Sequence, residues 1–161
     1  MNSEPAAITL AGRSALDYFD AQTVDVSQPI TAIEAWAIIT EQTGPLMRLA
    51  FKVRDAVSAM FGVRRIGGFS GSFRDGVEAG DRLDFFLVER IEPNILVLTA
   101  RDRHLDVMTC VTTGRASVTI TASVVTKNAF GRLYMLPVGP AHRAIVSGSL
   151  RKLQKTLART G

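Results

Sequence analysis

The chain has 161 residues, 47% of them hydrophobic and 21% charged, with a formal net charge of +4. That is the make-up of one globular domain, able to bury about two-thirds of its unfolded surface without help from a disulfide or a structural metal. Its one cysteine, Cys110, excludes an intrachain disulfide framework and suits a reducing cytoplasm, no apolar run reaches membrane-spanning length, and the start lacks the pattern of a secretory signal.

Residues 1–15 are polar, without sustained periodicity, and read as a flexible lead-in to a single domain over 16–161. Tyr18 to Val26 alternates weakly as far as Gln28-Pro29, which predicts a first strand at a sheet edge. Thr31-Ala32-Ile33-Glu34 matches a capping box, in which hydroxyl and carboxylate satisfy orphan amides reciprocally. Ile33, Trp36, Ala37 and Thr40 then form the stripe of a short helix, broken by Gly44-Pro45. From Pro45, Leu46, Leu49, Ala50, Val53, Val57 and Met60 recur at three and four residues and predict a second helix, closed by Gly62. The glycine-rich stretch Gly67 to Gly80 lacks the lysine and hydroxyl of a phosphate loop, so its glycines are expected to permit turns. Phe69 and Phe73 within it suit a lid as the sharper alternative.

Strand patterns follow over Leu83–Ile91, Ile95–Arg101, His104–Thr113 and Ala116–Lys127. The turns between them are too short for crossovers, so neighbours must run antiparallel. Gly131 to Leu136 is expected to add a last short strand. The final helix is predicted from about Pro140 to Ala158, with Val146, Leu150, Leu153 and Leu157 on one stripe and most basic residues elsewhere. Helices segregated from an antiparallel sheet define an α+β class, and the order fits a helix-grip architecture better than a ferredoxin-like one.

The chemistry-bearing residues gather in the second half. Asp102-Arg103-His104-Leu105-Asp106 sits in strand-like sequence, and both histidines of the chain, His104 and His142, belong to the set. Ionisable groups amid apolar, β-branched residues are costly to bury unless paired or used. His142 stands four residues before Val146, one turn along the same helical stripe, so it is expected to point at the sheet. His104 and Asp106 share a strand face, which Met108 and Cys110 continue.

Three readings compete for this set. In the first it is structural, with Asp106 paired to Arg132 and His142 capping the final helix. In the second it is the polar end of a small-molecule cavity between sheet and helix. In the third a His/Asp pair serves as general acid–base, with Tyr134 as donor. Catalysis has the least support, because no nucleophile elbow or cofactor fingerprint is present. A metal held by His104, Asp106 and His142 ranks last, and no metal is assigned. An interaction module would use the basic face of the C-terminal helix, although a solvated outer face is the commoner meaning of such a run. No nucleic-acid motif accompanies it.

The pattern Asp102-x-His104-Leu105-Asp106, then Asn128-x-x-Gly131-Arg132-x-Tyr134, then Pro140-x-His142-Arg143, resembles a bacterial family of domains of unknown function. Its members occur alone or behind an NmrA-like nucleotide-binding domain, and the resemblance covers about Asp17 to Leu157. It implies a START-like helix-grip fold, no established activity and, by analogy with the fused members, a nucleotide-binding oxidoreductase-type partner. Where the family pattern has Pro-Phe-His, this chain has Pro140-Ala141-His142, a loss that enlarges or repacks the space beside His142. No G-x-G-x-x-G follows an N-terminal strand, so NAD(P) binding is not predicted and no cofactor is expected. The preferred expectation is a cytoplasmic domain binding a small apolar or amphipathic molecule. His104, Asp106, Arg132, Tyr134 and His142 would be its polar anchors, and Trp36, Phe85 and Met108 its apolar wall.

Overall fold

A computed structural model describes residues 3–41, 48, 52, 55 and 76–161. The predicted helix over 45–61 and the glycine-rich stretch therefore lie largely outside the described residues.

Among the described residues, six strands form one antiparallel sheet: β1 (Tyr18–Asp25), β2 (Arg82–Leu83), β3 (Phe86–Glu92), β4 (Ile95–Arg101), β5 (Leu105–Thr113) and β6 (Ser117–Thr126). Their order is β1-β6-β5-β4-β3-β2. The first strand lies at an edge, as its weak alternation predicts, and pairs with the last, Tyr18 opposite Val124 and Asp25 opposite Ser117. The strand expected over Leu83–Ile91 is cut in two, because Asp84 adopts a left-handed φ of 56°. Aspartate tolerates that region better than most residues, so the chain turns there instead of extending.

Helix α1 (Ala32–Glu41) begins with the predicted capping box. The Glu34 carboxylate accepts from both Thr31 N (2.9 Å) and Thr31 Oγ1 (2.7 Å), and Glu34 N donates to Thr31 Oγ1 at 3.3 Å. These bonds hold the Glu34 carboxyl below its usual range, the Thr31 hydroxyl contributing most. Its buried face is Ala32, Ala35, Trp36, Ile39 and Thr40. The predicted stripe is thus right at Trp36 and Thr40 and one residue off elsewhere.

The long C-terminal helix, α2 (Ala129–Thr160), corrects two expectations. Gly131 to Leu136 is its first two turns and not a strand, and the helix starts well before Pro140. Asn128 caps it, the side-chain oxygen accepting from Gly131 N at 3.0 Å. Pro137 and Pro140 lie inside it, each removing one backbone donor. The inward stripe runs unbroken past both prolines. Gly131, Met135, Gly139, His142, Val146, Leu150, Leu153 and Leu157 follow at spacings of three and four, all buried or partly buried.

These elements give the sheet two different faces. The inner face (Val24, Leu96, Leu98, Val111, Val118, Ile120) packs on α1 through Trp36 and Ile39, and on α2 through Val146, Leu150, Leu153 and Leu157. Burying each such side chain stabilises the fold by about 1.5–3 kcal/mol. The outer face carries a second cluster, Ile95, Val97, Met108 and Cys110, against which Ile8 and Leu10 pack. Residues expected to form a free lead-in are bonded to that face. Ile8 N donates to Cys110 Sγ (3.4 Å), Leu10 N donates to Ser123 Oγ (3.2 Å), and Glu4 accepts from Thr112 (2.7 Å) and Ser117 (2.9 Å). No helix among the described residues is long and apolar enough to cross a membrane.

Candidate functional site

Strand alternation decides which polar residues meet. In β1, Val24 faces inward, so Gln22, Asp20 and Tyr18 face inward as well, toward the N-terminal half of α2. There Gly139 removes a side chain that would block the approach: a Cβ at that position would lie 3.1 Å from Tyr18 Cε2. The tyrosine ring fills the space. Its hydroxyl donates to Gly139 O at 3.2 Å and stands 3.4 Å from His142 Nδ1. The two rings meet edge to face, centroids 5.8 Å apart and planes at 88°.

Charge surrounds this pair. Arg143 places its guanidinium 5.4 Å from the Tyr18 ring centroid and its Nε 3.5 Å from Asp20 Oδ1. Gln22 ties the seam, donating to Asp20 Oδ2 (2.7 Å) and to Arg143 O (3.1 Å). Burial depresses the His142 pKa from 6.5; Asp20 opposes that shift and Arg143 adds to it. Burial also raises the Tyr18 pKa, with Asp20 acting the same way. Near neutral pH the seam therefore holds a neutral imidazole and a neutral phenol, each able to donate or accept one hydrogen bond.

His104 sits in a second cluster, at the β4–β5 turn. Asp102 Oδ1 accepts from His104 N (2.7 Å) and Leu105 N (2.9 Å), as a turn-forming aspartate does. Because Asn128 Oδ1 is taken by Gly131 N, the amide nitrogen faces His104 Nδ1 at 3.0 Å and also donates to Arg103 O at 3.2 Å. His104 Nδ1 also stands 3.3 Å from Asn128 Oδ1, so the Asn128 amide faces Nδ1 with both its atoms and leaves Nε2 as the other ring nitrogen. That nitrogen is buried, with no hydrogen-bond partner among the described residues. The ring packs on Phe130 with centroids 4.5 Å apart, and Phe130 stacks on Tyr134 at 6.3 Å.

The remaining predicted residues are dispersed. Asp106 lies on the outer face and pairs with Arg101 (3.1 Å) and Lys127 (2.8 Å), not with Arg132. Arg132 is exposed on α2. Met108 belongs to the outer cluster, so it cannot share a wall with Trp36, which packs on Phe86 on the inner face (5.7 Å, 81°); Phe85 lies against Phe86 at 4.3 Å. His104 joins the turn instead of continuing the strand face, and His142 is thirteen residues into α2 rather than at its cap. His104, Asp106 and His142 thus form no common metal site, and no group of three metal-ligating residues occurs among the described residues. Sequence reasoning missed Tyr18, Asp20 and Gln22; the alternation of the first strand relative to Val24 was the signal that places them on one face.

A curved antiparallel sheet gripped by a long C-terminal helix, with polar side chains at the helix–sheet seam, defines an α+β domain of helix-grip architecture. The chain belongs to DUF2867, a family described only as proteins of unknown function, which matches residues 13–149. No functionally curated protein matches it.

Proposed function

We propose that the protein is a binding domain for a small amphipathic molecule, held at the seam between β1 and α2. The polar end of the ligand meets Tyr18 and His142, with Asp20 and Arg143 at the rim, and its apolar end lies toward the inner-face cluster that includes Trp36 and Phe86. One observation carries this reading. A partly buried, uncharged imidazole stands on the inward stripe of α2, one turn from Val146, and among the described residues its hydrogen-bond contact is Tyr18. Ligand sites combine such sparse polar groups with apolar walls.

The single tryptophan gives a direct test. Trp36 emission is followed while decanol is titrated into the protein, alongside the His142→Phe and Tyr18→Phe variants. Saturable quenching by decanol is expected, weakened about tenfold in each variant through loss of a hydrogen bond of about 1.4 kcal/mol. Unchanged Trp36 emission with wild-type protein, or equal affinity in all three proteins, would remove the seam as a binding site.

A further inference from the structure

Charge is distributed very unevenly along this chain. Residues 107–161 contain eight Lys or Arg side chains and no Asp or Glu, whereas residues 1–106 contain eleven and fifteen. The last third therefore carries +8 and the rest −4. Six of the eight cations lie on α2, and the helix has no acidic residue of its own to offset them.

Asp20 on β1 takes up Arg143. Toward the C-terminus the situation differs: Arg151, Lys155 and Arg159 are exposed and four residues apart, in one row along the helix. Among the described residues none of the three enters an ion pair. Among the described residues Arg151 donates to Ser147 of its own helix, at 3.4 Å to the carbonyl and 3.3 Å to the hydroxyl. Like charges at this spacing destabilise a helix by about 0.2–0.5 kcal/mol per pair, so the row is a cost in the isolated protein. Together with Gly148, Lys152 and Thr156 these residues line a shallow, open groove along one side of the helix. A Cβ at Gly148 would meet nothing within 4 Å, so the space beside it is open.

We propose that this groove docks an acidic, extended segment of a partner protein. The cations recur about every 6 Å along the helix axis. An extended chain with Asp or Glu at alternate positions presents carboxylates at about 6.6–6.8 Å on one side, so successive carboxylates meet successive cations. Two other anionic partners fit less well. Single-stranded nucleic acid is held by aromatic stacking platforms, and no lining residue is aromatic. A membrane surface is engaged by amphipathic helices with large apolar side chains to insert, and none lines this groove, while the apolar stripe of α2 is already buried in the core.

The test uses the full chain and a fluorescein-labelled peptide of alternating Glu and Ser, followed by anisotropy. An alternating Gln and Ser peptide, an oligouridylate and phosphatidylglycerol vesicles are compared with it. Binding of the acidic peptide is expected, weakening at least about tenfold between about 20 and 200 mM salt as exposed charges are screened. The Lys155→Glu/Arg159→Glu variant should lose at least about tenfold in affinity, because it places like charges against the peptide. If that variant unfolds, Arg151→Gln/Lys155→Gln makes the same comparison with the same expected direction. No binding of the acidic peptide, binding unchanged in the folded variant, or tighter binding of the neutral peptide, oligonucleotide or vesicles overturns the proposal.

Discussion

Among single residues His142 has the clearest consequence. Burial favours its neutral form, so its pKa in the folded protein lies below the 6.5 of an ordinary imidazole. The facing groups act in both directions: Asp20 favours the charged form, Arg143 opposes it, and Tyr18 is itself neutral because burial raises its pKa. With a depressed folded pKa, the unfolded chain binds more protons below pH 6.5. The stability contributed by neutral His142 is therefore full above that pH and is lost as pH falls through the lower folded value. Urea unfolding between pH 5 and 8 should show this decline, and His142→Gln, which keeps a polar group but cannot titrate, should flatten it. An identical pH dependence in the variant would show that other groups control the effect. This histidine could be placed in the sequence from its spacing to Val146. For Tyr18 the alternation gives only the face shared with Asp20, Gln22 and Val24, and a weakly alternating edge strand gives no sign that this face meets a helix 121 residues away.

At the scale of elements, α1 was legible and the first half of α2 was not. The capping box is a short-range signal whose bonds join residues three apart, so sequence and structure agree at Thr31 and Glu34. In α2 the inward stripe passes through Gly131 and Gly139, which carry no hydrophobic signal, and two prolines imitate a break. The helix is selected there by tertiary packing, which requires residues without side chains where the backbone passes His104 and Tyr18. Two glycine substitutions separate this effect from intrinsic helix propensity. Gly131→Ala would drive a methyl group into the carbonyl of His104, a backbone atom that cannot move aside alone. It is expected to destabilise by about 1–3 kcal/mol. Gly148→Ala meets open space, so it should stabilise by about 0.5–1 kcal/mol through helix propensity. Thermal melts of the two variants should move in opposite directions.

On the scale of the whole molecule, the decisive feature is a sheet covered on both sides by unlike material. Helices cover the inner face, whereas the outer cluster of Ile95, Val97, Met108 and Cys110 is packed by Ile8 and Leu10 from the N-terminal segment. The sequence gives little sign of this. Ile8 and Leu10 stand two apart, as an extended chain lying on a sheet requires, but two residues are too few to form a pattern. Glu4 secures the segment. Burial alone would raise its carboxyl pKa, yet hydrogen bonds from Thr112, Thr119 and Ser117 bring it below 4.5. That contribution is present above pH 4.5 and lost in more acid solution.

Cys110 reports on this cover, being fully buried, bonded to Ile8 N and held by burial above the ordinary thiol pKa. A disulfide reagent should therefore react slowly with the native protein. Replacing Ile8 and Leu10 by serine removes two partly buried side chains and should weaken the segment's attachment by about 2–4 kcal/mol. Because each 1.4 kcal/mol is about a factor of ten in the open population, the labelling rate should rise about thirtyfold or more. Access increases, and the thiol pKa returns toward its ordinary value. The inner core is untouched by these changes, so labelling should accelerate under conditions where circular dichroism still reports a folded sheet. If the rate rises only when the whole protein melts, the N-terminal segment is an integral part of the cooperative fold, and the outer face does not open on its own.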